Sequence, residues 1–345
     1  MTTGHTFVRH DTTFQSEGTA CAAWLYRPDG VANPPIVVLA HGFAAFRELR
    51  LDAYATRFAQ AGYAALVFDY RHWGASDGEP RRLLDISRQH ADWRAAVGYA
   101  RSLDGIDVTR VVGWGSSFGG GHVLNLAAHD DELAAAIVQV PHVTGPASAF
   151  AQHPKLVTRL LVAAVRDQVG SWLGAQPYRV QSIGRPGDIA MMTSPGAFEL
   201  VEQMAGDEHE QLLAENDVAA RIALRVPFYS PGRHAADITA PTLVQLAKHD
   251  DVTPYAKAKK IVARIPTGEV LSYDCTHFEP YLDPHFEQIV SDQIQFLQRH
   301  VPISHPEATV DHQMTPQRLA LPLQQDPGKH KPLGRPWENL PRRRR

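Results

Sequence analysis

Short apolar, β-branched runs alternate with longer segments of helical period through most of this chain, and that alternation restricts the fold more than any other feature. Ile36–Ala40 is such a run, ending at His41-Gly42. Tyr54, Phe58 and Ala61 then share a helix face that stops at Gly62. Ala64–Asp69 follows as a strand, about Asp85 to Arg101 as a helix, Val108–Trp114 as a strand, Phe118–Ala128 as a helix and Ala134–Val140 as a strand. Thr242–Ala247 and Glu269–Tyr273 resume the pattern, each followed by a helix, the last over Pro284–His300. Residues 6–27 differ: Phe7, Val8, Phe14, Cys21, Trp24 and Tyr26 flank the turn Ser16-Glu17-Gly18, which predicts an antiparallel hairpin at a sheet edge. The expected fold is therefore α/β, a mostly parallel sheet of eight strands with helices on both faces.

Residues 142–236 interrupt the alternation for too long to be a loop and carry helical periodicity of their own, as in LVTRLLVAAVRDQV. They read as a helical lid of short helices and irregular turns, without a sheet of its own. The core is then 1–141 with 237–303, and 304–345 is a C-terminal extension whose Pro-, Lys- and Arg-rich end, closing in RRRR, is expected to be disordered. That tail hides an acidic remainder behind a formal charge of −3. No stretch approaches the roughly 20 apolar residues of a membrane span, and no signal-peptide core opens the chain, so a cytoplasmic protein without membrane or nucleic-acid partners is expected. Cys21 and Cys275 are too far apart in sequence, and in no ligand spacing, for a disulfide framework or a metal site. Neither a metal nor an organic cofactor is expected, and a homo-oligomer is left open.

The chemistry concentrates in VVGWGSSFGGG, where Gly115-Ser116-Ser117-Phe118-Gly119 fits G-x-S-x-G between a strand and a helix. A nucleophilic serine there sits on a strained turn that glycines two before and two after it make room for. Ser116 is out of frame. Gly74-Ala75-Ser76-Asp77-Gly78 matches the same pattern, but no buried strand feeds it directly and Pro80 follows, so Ser76 is read as structural. A serine nucleophile needs a base, and the base a carboxylate that fixes its tautomer. In chain order, the loop HDDVTP supplies Asp250, with Asp251 second, and CTHFEP supplies His277, with His285 in reserve. The amide of Phe118 and that of Phe43, in the loop His41-Gly42-Phe43, are the expected oxyanion donors, His41 orienting the loop.

Together, HGF at 41–43, FDYRHWGASDGEP at 68–80, GWGSSFGG at 113–120, HDDVTP at 249–254 and THFEPY at 276–281 resemble the α/β-hydrolase superfamily over residues 6–300, and look most like bacterial hydrolases related to acetylxylan esterases and dienelactone hydrolases. The resemblance implies that Ser117, Asp250 and His277 form the triad and that Phe43 and Phe118 supply the oxyanion amides. It implies a serine hydrolase that cleaves a small-molecule carboxylic ester. Thioesterase, C–C hydrolase and peptidase activities use the same triad, and a non-catalytic hydrolase-fold binding protein is the alternative of a different class. Phe150, Leu160, Leu161, Trp172, Leu173, Tyr178 and Phe198 are candidates for an apolar pocket wall in the lid.

Overall fold

The computed structural model describes residues 4–150 and 153–303. The basic tail lies outside them. Among the described residues the main sheet has eight strands: β1 (Phe7–Ser16), β2 (Thr19–Pro28), β3 (Ile36–Ala40), β4 (Ala64–Phe68), β5 (Val111–Ser116), β6 (Ala135–Gln139), β10 (Thr242–Ala247) and β11 (Gly268–Tyr273). Their order across the sheet is β1-β2-β4-β3-β5-β6-β10-β11. The hairpin β1–β2 forms one edge and β2 meets β4 antiparallel, while all remaining pairs are parallel.

Residues of the central strands alternate between two cores, as a sheet covered on both faces requires. In β3, Ile36, Val38 and Ala40 face one layer, and Val37 and Leu39 the other. The first layer receives Trp93, Ala96 and Val97 of α2 (Ile86–Ala100), Val123 and Leu126 of α3 (Phe118–Ala127), and Ala258 and Val262 of α8 (Tyr255–Val262). The second receives Tyr54 and Phe58 of α1 (Leu51–Gln60) and Phe286, Val290 and Phe296 of α9 (His285–His300). Helix α2 starts where the sequence predicts because Asp85 caps it, its side chain accepting from the amide of Arg88. Strand β5 starts three residues later than expected. Asp107 takes the amide and hydroxyl of Thr109 and the guanidinium of Arg110, and that local turn outcompetes the ladder at Val108.

Between β6 and β10 the chain forms α4 (Gly145–Phe150), α5 (Pro154–Trp172), β7 (Arg179–Ile183), β8 (Ala190–Met192), α6 (Ala197–Ala205), α7 (His209–Glu215), β9 (Asp217–Ala219) and three 3₁₀ turns between Ala220 and Asp237. The expectation of helices and turns alone is corrected here, because β8-β7-β9 make a three-stranded sheet inside the insertion. Two of these strands span only three residues, too few to show a period. A side chain helps hold the small sheet together: Asn216 accepts from the Ile183 amide and the Ser182 hydroxyl and donates to the Ile183 carbonyl. Among the described residues no helix is long and apolar enough to cross a membrane.

The segment FDYRHWGASDGEP is a polar knot beneath the sheet's carboxyl ends. The buried Asp69 carboxylate accepts from the amides of Arg47 and Ala75. Arg71 donates to Asp92 at 2.7 Å and to Ser16 at 2.6 Å, and all three are buried. Ser76 donates to the Asp69 carbonyl at 2.7 Å and accepts from the Ala22 amide at 2.8 Å, so both of its hydrogen-bonding roles go to backbone groups. Gly74 is obligatory, since a Cβ there would lie 2.4 Å from the Asp69 carboxylate.

Candidate active site

Ser117 sits between β5 and α3 with φ 53° and ψ −119°, a backbone conformation that costs a non-glycine residue on the order of 1–3 kcal/mol. The surroundings over-determine it. Its amide donates to the Gln139 carbonyl, and its carbonyl accepts from the amides of Gly121 and His142. The flanking glycines are steric necessities: a Cβ on Gly115 would fall 2.4 Å from the Gly119 carbonyl oxygen, and one on Gly119 would fall 2.4 Å from that of His41. Ser116 points the other way, buried, within 3.4 Å of the Gln139 amide nitrogen.

Residues 133 and 160 positions further along the chain are brought to this serine. The loop after β10 places Asp250, and the loop after β11 places His277. His277 Nε2 lies 2.9 Å from Ser117 Oγ, and its Nδ1 lies 2.7 Å from Asp250 Oδ2. Asp250 is itself fixed: Oδ1 accepts from the amides of Val252 and Thr253, and Oδ2 also accepts from the Thr253 hydroxyl at 2.8 Å. With Nδ1–H donated to Asp250, Nε2 is left as an acceptor directed at the serine hydroxyl. Asp251 is exposed, and His285 opens α9. Thr253 escaped the sequence reading, although an Asp followed three residues later by Thr is a spacing at which the two close a local turn.

Gly42 packs on the serine, where an added Cβ would lie 3.1 Å from Ser117 Cβ. Phe43 follows it, and its ring meets the ring of Phe118 edge-on at 5.5 Å. The amide of Phe118 opens α3 at its positive end. His41 beneath them is buried, and desolvation holds its imidazole down at about 4, so it is neutral. Its Nδ1 lies 3.0 Å from the Gly42 carbonyl.

Ser117 lies between two cavities. The larger, about 130 Å³, is walled by Phe43, Phe118, Leu160, Leu161, Met191 and Val226 among others, and is predominantly apolar. The smaller, about 60 Å³, is walled by Leu49, Val201, Met204, His277, Phe278 and Tyr281 among others. Phe43, Ser117 and Met192 border both. Of the wall candidates read from sequence, Leu160 and Leu161 line the larger cavity. Phe198 is buried in the second core layer, Trp172, Leu173 and Tyr178 face outward, and the side chain of Phe150 lies outside the described residues.

Behind the elbow runs a network that sequence reading missed. The Tyr229 hydroxyl lies 2.7 Å from His122 Nδ1 and 3.0 Å from His90 Nε2, and the Tyr229 ring stacks on His142, which lines the larger cavity. Burial pushes His90 and His142 down to about 4, and His122 well below the ordinary range. Four segments of the chain build it, so no local signal announces it. Among the described residues no cluster of three or more His, Cys, Asp or Glu side chains is arranged to hold a metal ion.

Residues 33–276 match the family Hydrolase_4, described as serine aminopeptidase, S33. The chain belongs to this α/β-hydrolase family. Among its relatives, the quorum-quenching protein AidA of Acinetobacter baumannii (strain MDR-ZJ06) is 44% identical over 295 residues, covering 85% of this chain and 95% of that one. The polyketide transferase ATR5 of Stachybotrys chlorohalonatus (strain IBT 40285) is 28% identical over 300 residues, 84% of this chain and 97% of that one. The structure of DcsB in complex with its substrate analogue superposes with a TM-score of 0.73 at 20% identity, covering 86% of this chain and 99% of that one, a likeness of fold. This hydrolase therefore has the α/β-hydrolase architecture that its sheet order and elbow describe.

Proposed function

We propose that this hydrolase is a serine esterase that cleaves a small carboxylic ester through an acyl-enzyme. The observation that carries the reading is the continuous hydrogen-bonded series from Ser117 Oγ through His277 to Asp250, at 2.9 and 2.7 Å. In this reading His277 Nε2 takes the hydroxyl proton as Ser117 Oγ bonds to the ester carbon. The carbonyl electrons move to oxygen, held by the amides of Phe118 and Phe43. The intermediate collapses as His277 delivers its proton to the departing alkoxide, and a water then repeats the sequence to release the acid. Asp250 holds the imidazole in the acceptor tautomer and offsets its charge while it is protonated.

The two cavities give the substrate a direction. The proton must reach the leaving oxygen, so the alcohol limb belongs on the side that His277 lines, in the smaller cavity. The acyl limb then takes the larger apolar cavity, which the insertion covers as a lid. An apolar acyl chain on a small alcohol fits this description. The 44% identical relative named for quorum quenching makes N-acyl lactones, which are cyclic esters, part of the test panel.

The test is hydrolysis of p-nitrophenyl esters from acetate to decanoate, with an N-acyl lactone and an acyl thioester alongside, by the intact chain and by Ser117→Ala. Turnover that Ser117→Ala abolishes, with the ester preferred over the thioester, supports the reading. Turnover that survives the substitution ends it.

A further inference from the structure

Helix α5 carries a second apolar surface that the hydrolase fold does not use. Leu156, Leu160, Ala163, Ala164 and Asp167 are buried. Leu161, Val162, Val165, Val169 and Trp172 are exposed by 43, 68, 52, 42 and 75%, and Leu173, just past the helix end, by 81%. At 3.6 residues per turn the five helical ones fall in a single arc of about 100°. The arc continues at one edge into the larger cavity, because Val157 and Leu161 line it. At its other edge stand Lys155, Arg159 and Arg166, all exposed. The one acid of the helix, Asp167, points inward and pairs with Arg221 at 2.6 Å. The outer surface of α5 itself is thus apolar and positive, and the negative charges next to it, Asp188 and Asp251, share a groove with Lys155 and Arg159 at its N-terminal end.

We propose that α5 is the face on which this enzyme rests against an anionic lipid bilayer. The apolar arc enters the boundary between headgroups and acyl chains, Lys155, Arg159 and Arg166 meet lipid phosphates, and an acyl substrate passes over Leu161 into the cavity beside Ser117. The passage rests on the esterase reading, whereas the docking does not. Charge complementarity selects the bilayer over another copy of the chain, which would bring an identical row of cations. A Trp at the end of the arc is placed as interfacial helices place it. This mode requires no spanning helix.

The full chain is sedimented with phosphatidylcholine vesicles with and without phosphatidylglycerol, at low and high salt, beside Val165→Glu and Trp172→Ser. The chain should partition onto the phosphatidylglycerol vesicles at low salt. Each substitution should lower that partition roughly tenfold. Thermal melts of both variants by circular dichroism that match the parent show that they are folded, and Ser117→Ala should bind vesicles as the intact chain does, so that a failed esterase reading does not obscure the result. Three results overturn the proposal: no partition onto either vesicle, equal partition of the intact chain and Val165→Glu, which assigns binding to another surface such as the basic tail, or a dimer in solution that Val165→Glu splits while vesicles stay unbound.

Discussion

Two serines of this chain sit in the same five-residue pattern, and substituting each should give opposite phenotypes. In Ser76→Ala the hydroxyl that joins two backbone groups is lost: the Asp69 carbonyl loses its donor and the Ala22 amide its acceptor. Ser76 is 3% exposed, so water does not readily replace it. An unsatisfied buried polar group costs about 1–3 kcal/mol, and two in one site amount to roughly 3 kcal/mol. A folded body of this size unfolds with an entropy on the order of 0.6 kcal/mol/K, so Tm should fall by about 5 °C. Thermal denaturation followed by circular dichroism reads the shift, and p-nitrophenyl butyrate hydrolysis at 25 °C reads function, which should stay within about twofold of the parent. The reasoning is refuted by a variant that melts like the parent, or by one that is inactive while fully folded.

Three further outcomes follow from the geometry. Asp250→Asn can keep the two backbone bonds at Oδ1 but turns an NH₂ toward His277 Nδ1, forcing the unproductive tautomer; kcat should fall by roughly four orders of magnitude with little change in KM. Leu160→Trp fills part of the larger cavity and should lower kcat/KM for decanoate at least about tenfold relative to acetate, measured across the ester series. Stability should rise with pH between about 4 and 6.5. His41, His90 and His142 are pushed down to about 4 by burial, and His122 well below its ordinary range, so the unfolded chain takes up protons there that the folded chain refuses. The stability these histidines contribute is complete above their unfolded value and is lost as pH falls toward 4. Asp69, raised to about 7 by the same burial, acts in the opposite direction with one proton against four. Urea midpoints at steps across this range, flat or falling with pH, would contradict the assignment.

The inner parallel strands were legible because their side chains must satisfy a sheet buried on both faces, which leaves dense apolar runs such as Ile36–Ala40 and Thr242–Ala247, whereas the largely exposed edge strand Phe7–Ser16 was legible from the turn that joins it to its partner. The elbow was legible because steric demands at Gly115 and Gly119 write themselves into composition. Asp250 and His277 could be named because both stand just after a strand. The insertion was legible as an interruption and, through the period of LVTRLLVAAVRDQV, as the helix Pro154–Trp172, but not further. Its small sheet depends on Asn216 reaching Ser182 and Ile183 from 34 and 33 residues away, and the His90–Tyr229–His122 contacts span comparable or larger separations. No periodicity records contacts of that kind.

The position of the insertion also bears on how the molecule is made. Strand β6 pairs with β10, yet the whole insertion is synthesised between them. At roughly 5–20 residues per second the ribosome needs on the order of 5–20 s to cover that distance. For that interval β6, with Ala135–Gln139 buried in the finished molecule, is the open edge of a half-built sheet. Ser117 is already present, but Asp250 and His277 have yet to emerge. The nascent chain is thus exposed to mispairing before the hydrogen-bonded series at Ser117 can form, and the residues that close the sheet are followed directly by those that complete that series.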